Sequence, residues 1–272
     1  MNDPRTTISQ WHKGELHRTT MAFIEEEPLS IRVQGSPYAV VMRTPGDDLA
    51  HAAGFCLTEG VVDDPDDITN LATCDQDDTN VVTVTLSSQR REKVAGHLDR
   101  RGYISQSSCG LCGKTLVDEL IQELRPIEDR TAIALPAAEA CLRRLDDLQP
   151  LRRSTRASHA AALFDADLQL LVAMEDVGRH NALDKAIGRL FLDRRLHLAK
   201  VAVLSSRISY ELVQKSVRAR IPILMALSRP TRLAVELGSR LGMSLAGAMR
   251  PDGLFLYCNS QRFVGSEQMP LP

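Results

Sequence analysis

Two cysteines three positions apart, Cys109 and Cys112, are the residues of this chain best suited to covalent chemistry. They stand in Ser107-Ser108-Cys109-Gly110-Leu111-Cys112-Gly113-Lys114, where a polar stretch from Arg101 to Ser108 meets a helical pattern. That pattern places Leu116, Val117, Leu120, Ile121 and Leu124 on one side. A thiol at a helix N-terminus feels the positive end of the dipole, which favours thiolate. Lys114 adds a second positive charge. Such surroundings bring a cysteine from about 8.5 into the range of about 3.5–7.5. Gly110 and Gly113 loosen the backbone around it. A nucleophilic thiol on a pliable tether suits the transfer of acyl groups or of sulfur.

Three other readings of the pair stand beside that one. Structural zinc needs four ligands, so Cys141, Cys258, His159 or His180 would have to converge on the single C-x-x-C. Thioredoxin-like redox chemistry expects an apolar strand just before the pair, where this chain has Ser105-Gln106-Ser107-Ser108. Two inert buried thiols fit poorly with flanking serines and glycines.

A second constellation lies in the other half of the chain. Predicted strands there run into polar loops: Glu175-Asp176-Val177-Gly178-Arg179-His180-Asn181, Ser205-Ser206-Arg207, Ser228-Arg229-Pro230-Thr231, and Arg250 after Met249. In open α/β sheets ligands bind outside the carboxyl ends of the strands. The first three loops also open helices, whose free N–H groups attract phosphate. Arginines and hydroxyls at such points suit an anionic, phosphate-bearing ligand. Taken singly, the serines and threonines are equally read as helix caps, Glu175 and Asp176 as partners of Arg179, and His180 as a packed histidine. Neither G-x-x-x-x-G-K-[ST] nor G-x-G-x-x-G occurs, which argues against NTP hydrolysis and a dinucleotide dehydrogenase.

The elements that must hold these residues follow from periodicity. Residues 1–20 lack it and are expected to be mobile or loosely docked. Leu29, Ile31 and Val33 alternate as a strand, and Gly35-Ser36-Pro37 turns into a second strand, Tyr38 to Met42. Thr44-Pro45-Gly46-Asp47 starts a helix with Leu49, Ala52, Ala53 and Cys56 on one face and Gly60 at its end. The acidic turn Asp63-Asp64-Pro65-Asp66-Asp67 lacks the ligand spacing of a calcium loop and reads as solvated. Val82, Val84 and Leu86 mark a strand, and Leu135 to Leu145 a helix. Gln149-Pro150 is taken as the boundary between an N-terminal α+β part, 21–149, and an α/β domain, 150–272. In the latter, Ala160 to Phe164 and Leu168 to Met174 read as a hairpin, followed by a helix through Leu183, Ala186, Ile187 and Leu190. Strands at 201–204, 221–226 and 245–249 then alternate with helices near 212–217 and 233–241, before a last strand, 254–258. That alternation predicts a parallel or mixed sheet covered by helices on both faces.

Composition narrows the setting. The 33 basic and 35 acidic side chains nearly cancel, which argues against a polybasic nucleic-acid binder. No apolar run approaches the ~18 residues of a membrane span, and Met1 to Gln10 lacks the apolar centre of a secretory signal. A cytoplasmic protein is expected, and in that compartment the six cysteines do not imply a disulfide framework.

The strings Cys109-Gly110-Leu111-Cys112-Gly113 and Glu175 to Lys185 resemble the FdhD family of formate dehydrogenase accessory sulfurtransferases. So do Ser205-Ser206-Arg207, Ser209-Tyr210-Glu211, Gln214-Lys215 and the region from Gly247 to Pro251. The similarity runs from about Glu27 to Tyr257. It implies a C-terminal three-layer mixed sheet similar to cytidine deaminases, with a smaller N-terminal part. Cys109 would accept sulfur as a persulfide from a cysteine desulfurase. The recipient would be the molybdenum cofactor in its bis-molybdopterin guanine dinucleotide form, bound before insertion into the formate dehydrogenase catalytic subunit. The resemblance places the cofactor site at Ala248, Met249, Arg250, Pro251, Asp252 and Gly253, to which Arg179, His180 and Arg207 are added from the polar loops. It also implies a homodimer. Deamination is excluded, because its zinc signature needs a P-C-x-x-C that the second half lacks. Where relatives carry Thr-Gly-Gly or Thr-Gly-Cys before Thr-His-Ala, this chain has Thr155-Arg156-Ala157-Ser158-His159-Ala160. Arg229 also stands where many relatives carry a small residue. Two other classes of function use the same residues: a non-catalytic chaperone for the cofactor, and a zinc-stabilised binding module.

Overall fold

The computed structural model describes residues 5–73, 80–101, 124–249 and 253–265. At its start, β1 (Arg5–His12) and β2 (Glu15–Ala22) pair as an antiparallel hairpin, where no regular structure is expected from the sequence. Small polar residues hide the alternation there. The pairing rests on β-branched side chains such as Thr6, Thr7, Ile8, Thr19 and Thr20. Lys13 and Gly14, at φ 51° and 89°, supply the two left-handed positions of a tight hairpin turn.

A four-stranded sheet follows, built from β3 (Glu27–Val33), β4 (Ser36–Arg43), β5 (Ile68–Thr73) and β6 (Val81–Leu86) in the order β4-β3-β6-β5. Leu29, Ile31 and Val33 point inward with Val82, Val84 and Leu86, as their period of two requires. Helix α1 (Asp48–Thr58) is entered through buried Arg43, whose guanidinium donates to Asp48 at 2.8 and 3.0 Å and to Asn80 at 2.8 Å. Helix α2 (Ser88–Arg101) is rich in charge and has no sequence expectation, because it lacks a wide apolar stripe.

The second half contains β7 (Ile133–Ala134), α3 (Leu135–Arg144), α4 (Pro150–Thr155), β8 (His159–Phe164), β9 (Leu170–Asp176) and α5 (Arg179–Leu192). It continues with β10 (Val201–Leu204), α6 (Tyr210–Arg218), β11 (Ile223–Ala226), α7 (Arg232–Arg240), β12 (Ser244–Ala248), β13 (Leu254–Cys258) and β14 (Phe263–Val264). Six of these strands form a mixed sheet in the order β13-β12-β11-β10-β8-β9, with β10, β11 and β12 parallel. Both faces are buried. Ala161, Leu163, Ala202, Leu204, Leu224, Ala226 and Leu245 face one core with α5, α6 and α7. Ala160, Ala162, Phe164, Val201, Val203, Ile223, Met225 and Ala246 face the other, with α3. Near-continuous apolar strands are what a sheet covered on both sides demands.

The larger core crosses the boundary at 149–150, drawing Leu29, Ala53 and Val82 from one side and Leu183, Val213 and Leu245 from the other. Buried ion pairs stitch the same junction. Lys215 Nζ lies 2.8 Å from Asp184 Oδ2 and donates to Thr58 Oγ1 at 2.9 Å, and that hydroxyl donates to Asp184 Oδ1 at 2.8 Å. Burial pushes the Asp184 carboxyl up against the pull of Lys215. Burial alone would push the Lys215 ammonium down, but Asp184 and Glu59 outweigh it and hold the charge. Among the described residues, no helix is long and apolar enough to cross a membrane.

Candidate functional site at the strand ends

Register brings the polar loops to one rim of the six-stranded sheet. Leu204 pairs with Ala226 and with Ala161, Ala226 with Gly247, and Ala248 with Leu254. His159 at the start of β8 pairs with Asp176 at the end of β9. The residues that follow or precede these pairs therefore share one end: His159, the 176–180 loop, Ser205–Ser209, Leu227–Thr231 and Met249. Helices α5, α6 and α7 all begin there, so three sets of free backbone N–H groups point to the rim.

His180, in the first turn of α5, meets the first turn of α6. Its Nε2 is 2.7 Å from Glu211 Oε2 and 3.4 Å from Ser209 Oγ. The hydrogen bond with His180 lowers the Glu211 carboxyl below its usual range, with the charges of Arg179 and Lys215 adding to it. Tyr210 donates to Glu211 Oε1 at 3.4 Å, and burial followed by the Glu211 charge pushes its phenol up to about 12. Beside this pair, Arg179 Nε and His159 Nδ1 are buried with no hydrogen-bond partner. Burial lowers the His159 imidazole, and the charges of Arg179, Arg152 and His180 lower it further, which favours its neutral form. A buried guanidinium N–H left open beside an imidazole nitrogen fits an anionic ligand that would supply the acceptor.

Glu175 and Asp176 do not hold Arg179. Glu175 instead caps α4, accepting from Leu151 N at 2.7 Å, Arg152 N at 2.8 Å and Ser158 Oγ at 2.6 Å. Asp176 is fully buried, 2.8 Å from Lys185 Nζ, and accepts from Thr44 N at 3.1 Å and Gly178 N at 2.8 Å. Lys185 also donates to Thr44 O at 2.7 Å. The carboxylates thus fix the loop that presents Arg179 and His180, and tie it to the end of β4.

The other expected residues divide. Arg207 is exposed on the rim, and Ser205 Oγ accepts from Ala160 N at 2.8 Å. Thr231 is a helix cap, accepting from Ala234 N at 3.2 Å. Arg229 is exposed and lies 5.6 Å from the centre of the Phe255 ring. Ala248 is half-buried and Met249 exposed, with Met249 N donating to Gly253 O at 2.9 Å. Gly253 sits at φ +112°, which favours glycine. Arg250, Pro251 and Asp252 lie outside the described residues, as do Cys109, Cys112, Lys114 and the helical pattern from Leu116 to Ile121. Among the described residues, no three of His, Cys, Asp and Glu gather as a metal site. Cys141 is buried and Cys258 half-buried, and burial raises both thiols.

In the sequence His159 stands out only as a possible zinc ligand, and Ser209 and Glu211 only through the family resemblance. The available signal was position: Glu211 opens a helix at the same rim as His180. Arg156, noted as a departure from relatives, has φ 58° and ψ 17° at the end of α4, the left-handed conformation in which a glycine is at ease.

Fold and site together define a mixed α/β protein whose sheet is buried on both faces and whose strand ends form a rim lined by arginine, histidine and serine. Residues 24–264 match the FdhD/NarQ family. The chain belongs to that family. It is 43% identical over 269 residues to a sulfur carrier protein FdhD of Streptomyces coelicolor, covering 95% of this chain and 94% of that one. It is 38% identical over 268 residues to the protein of that name in Mycolicibacterium paratuberculosis, covering 95% and 97%. In fold it is similar to the crystal structure of a candidate formate dehydrogenase accessory protein from Desulfotalea psychrophila. That match has a TM-score of 0.76 at 23% identity, over 96% of this chain and 98% of the other.

Proposed function

We propose that this protein is a cytoplasmic sulfur carrier that loads sulfur on Cys109 and delivers it to the molybdenum cofactor for formate dehydrogenase. What carries the reading is the Cys109–Cys112 string in a chain 38% and 43% identical, over 95% of its length, to proteins named sulfur carriers. The Cys109 thiolate attacks the sulfane sulfur of a cysteine desulfurase persulfide. The donor's S–S bond breaks, its cysteine leaves as thiolate, and Cys109 becomes a persulfide. Cys112 then attacks the inner sulfur and displaces the terminal atom as sulfide, which becomes a ligand of molybdenum. A disulfide between the two cysteines is left for a thiol reductant.

The cofactor's bis-guanylate form is the recipient in this reading. Arg179, His180 and Arg207, with Arg250 and its neighbours from Ala248 to Gly253, would hold its phosphates at the rim. The open Nε of Arg179 and Nδ1 of His159 support that use. The sheet covered on both faces supports a cytidine-deaminase-like scaffold, and the working form would be a homodimer. The test is intact mass after incubation with a cysteine desulfurase and cysteine. The native chain should gain one reducible sulfur, and Cys109→Ala should gain none. A Cys109→Ala chain that still gains it overturns the assignment. A Cys109→Ala/Cys112→Ala chain that still restores formate dehydrogenase activity in the cell would favour a passive cofactor chaperone.

A further inference from the structure

The contact between His180 and Glu211 uses one nitrogen of the imidazole. Nε2 lies 2.7 Å from Glu211 Oε2 and 3.4 Å from Ser209 Oγ, and among the described residues nothing bonds Nδ1. The His180 side chain is 27% exposed, so a ligand at the rim can reach the ring. A neutral imidazole that gives Nε2–H to the carboxylate turns a lone pair outward at Nδ1, which repels a phosphate oxygen. The imidazolium turns a second donor outward instead.

Most groups around the ring oppose that charge or are already occupied. His159 of β8 feels the charges of Arg179, Arg152 of α4 and His180 together, which gathers these basic groups around one point. The positive end of α5 adds to them. Asp176, at the end of β9, is tied to Lys185 at 2.8 Å. On α6, Tyr210 donates to Glu211, and Lys215 acts on Glu211 while paired with Asp184. Among the described residues around this point, Glu211 is the carboxylate left to support a cation at His180.

We infer that Glu211 is a positioning residue that presents His180 to a phosphate as an imidazolium, with Nε2–H given to Glu211 and Nδ1–H to the ligand. Beside it, the open Nε of Arg179 supplies a further donor. Phosphate binding at the rim is thereby tied to one proton on His180, a role that rests on the reading of the rim as a phosphate site. A cationic histidine is lost as pH rises, so affinity is full at the acid end and declines toward the alkaline end.

Calorimetric titration of the full chain with GDP, from about pH 6 to pH 9, tests it. His180→Gln carries no such proton and is the reference in which GDP itself titrates. Relative to that reference, native affinity should fall by about 10-fold or more across the range. Glu211→Gln keeps an acceptor for Nε2 but no charge, so its fall should come about one pH unit lower. At the alkaline end, binding to the native chain should also take up a proton. That uptake is read from the change in binding enthalpy between buffers of different ionisation enthalpy, and it needs no variant. A native profile parallel to His180→Gln, or a Glu211→Gln profile that coincides with native, overturns the role of Glu211 and leaves the phosphate site standing. A native chain that binds no GDP at any pH overturns the phosphate site, and the role of Glu211 with it.

Discussion

Gly54 of α1 and Gly188 of α5 meet backbone to backbone. A Cβ built on Gly54 would lie 1.9 Å from Asp184 O and 2.8 Å from Gly188 N, and one built on Gly188 would lie 1.8 Å from Ala50 O and 2.6 Å from Gly54 N. Backbone cannot retreat as a side chain can. This closeness brings Thr58 on α1 within hydrogen-bond reach of Asp184 on α5, and so holds the N-terminal sheet against the body that carries the rim. Gly188→Ala should therefore cost about 3 kcal/mol or more in urea unfolding, at the upper end for overpacking. A loss below about 1 kcal/mol would mean the two helices are not packed this closely.

Arg156 holds a left-handed backbone that costs an L-residue about 1–2 kcal/mol. Its amide still donates to Arg152 O at 2.8 Å, and glycine would keep that bond without the strain. Glycine returns part of the gain through its larger unfolded-state entropy. Arg156→Gly should raise stability by about 0.5–1 kcal/mol, read as a higher urea midpoint at unchanged slope. A lower midpoint would show that the Arg156 side chain contributes more than its backbone costs.

Asp129 carries a pH dependence. Burial alone would raise its carboxyl, but hydrogen bonds from Thr131 and Lys200 and the Lys200 charge outweigh it and bring it to about 2. Lys200 Nζ is 2.9 Å away. A carboxyl depressed on folding stabilises fully above its unfolded value near pH 4 and loses that contribution as pH falls toward 2. With solvent screening the effect is about 1 kcal/mol. Asp129→Asn should lower stability by that amount at pH 7, and the difference should close between pH 4 and pH 2. A constant difference across that window would contradict the assignment.

Arg179 offers the most direct probe of the rim. If its guanidinium receives phosphate, Arg179→Ala should weaken GDP binding by about 10-fold or more, as for a charge-assisted hydrogen bond worth about 1.5–3 kcal/mol. Sulfur loading on Cys109 should be unchanged. Calorimetric titration with GDP measures the first, and equal affinity in the variant would remove Arg179 from the proposed site.

Much of the second half is legible in the chain because its strands are short, apolar and separated by helical periods. The strands predicted at 221–226 and 245–249 are found at 223–226 and 244–248, and the helix at 233–241 is found at 232–240. Elements whose partners are distant or whose faces are solvated stay hidden. The hairpin of residues 5–22 has no continuous apolar face, α2 has no wide stripe, and the β7–β14 pair joins residues more than a hundred positions apart. At the site, sequence places His180 and Arg179 at a strand end but says nothing of their partners. Glu175 and Asp176 neighbour Arg179 along the chain, and yet they turn to α4 and Lys185. Glu211, thirty-one positions beyond His180, is the residue that meets it. Pairings of that kind depend on register between strands, which no local pattern records.

The six-stranded sheet, sealed above and below by apolar side chains, leaves its perimeter as the place where new chemistry can be tried. Residues that fill the two cores and the rim residues proposed to touch a ligand are drawn from different parts of the chain. Lineages can therefore exchange the loops beyond Leu204, Ala226 and Ala248, and so shift what is recognised, without reopening the question of whether the polypeptide holds its shape.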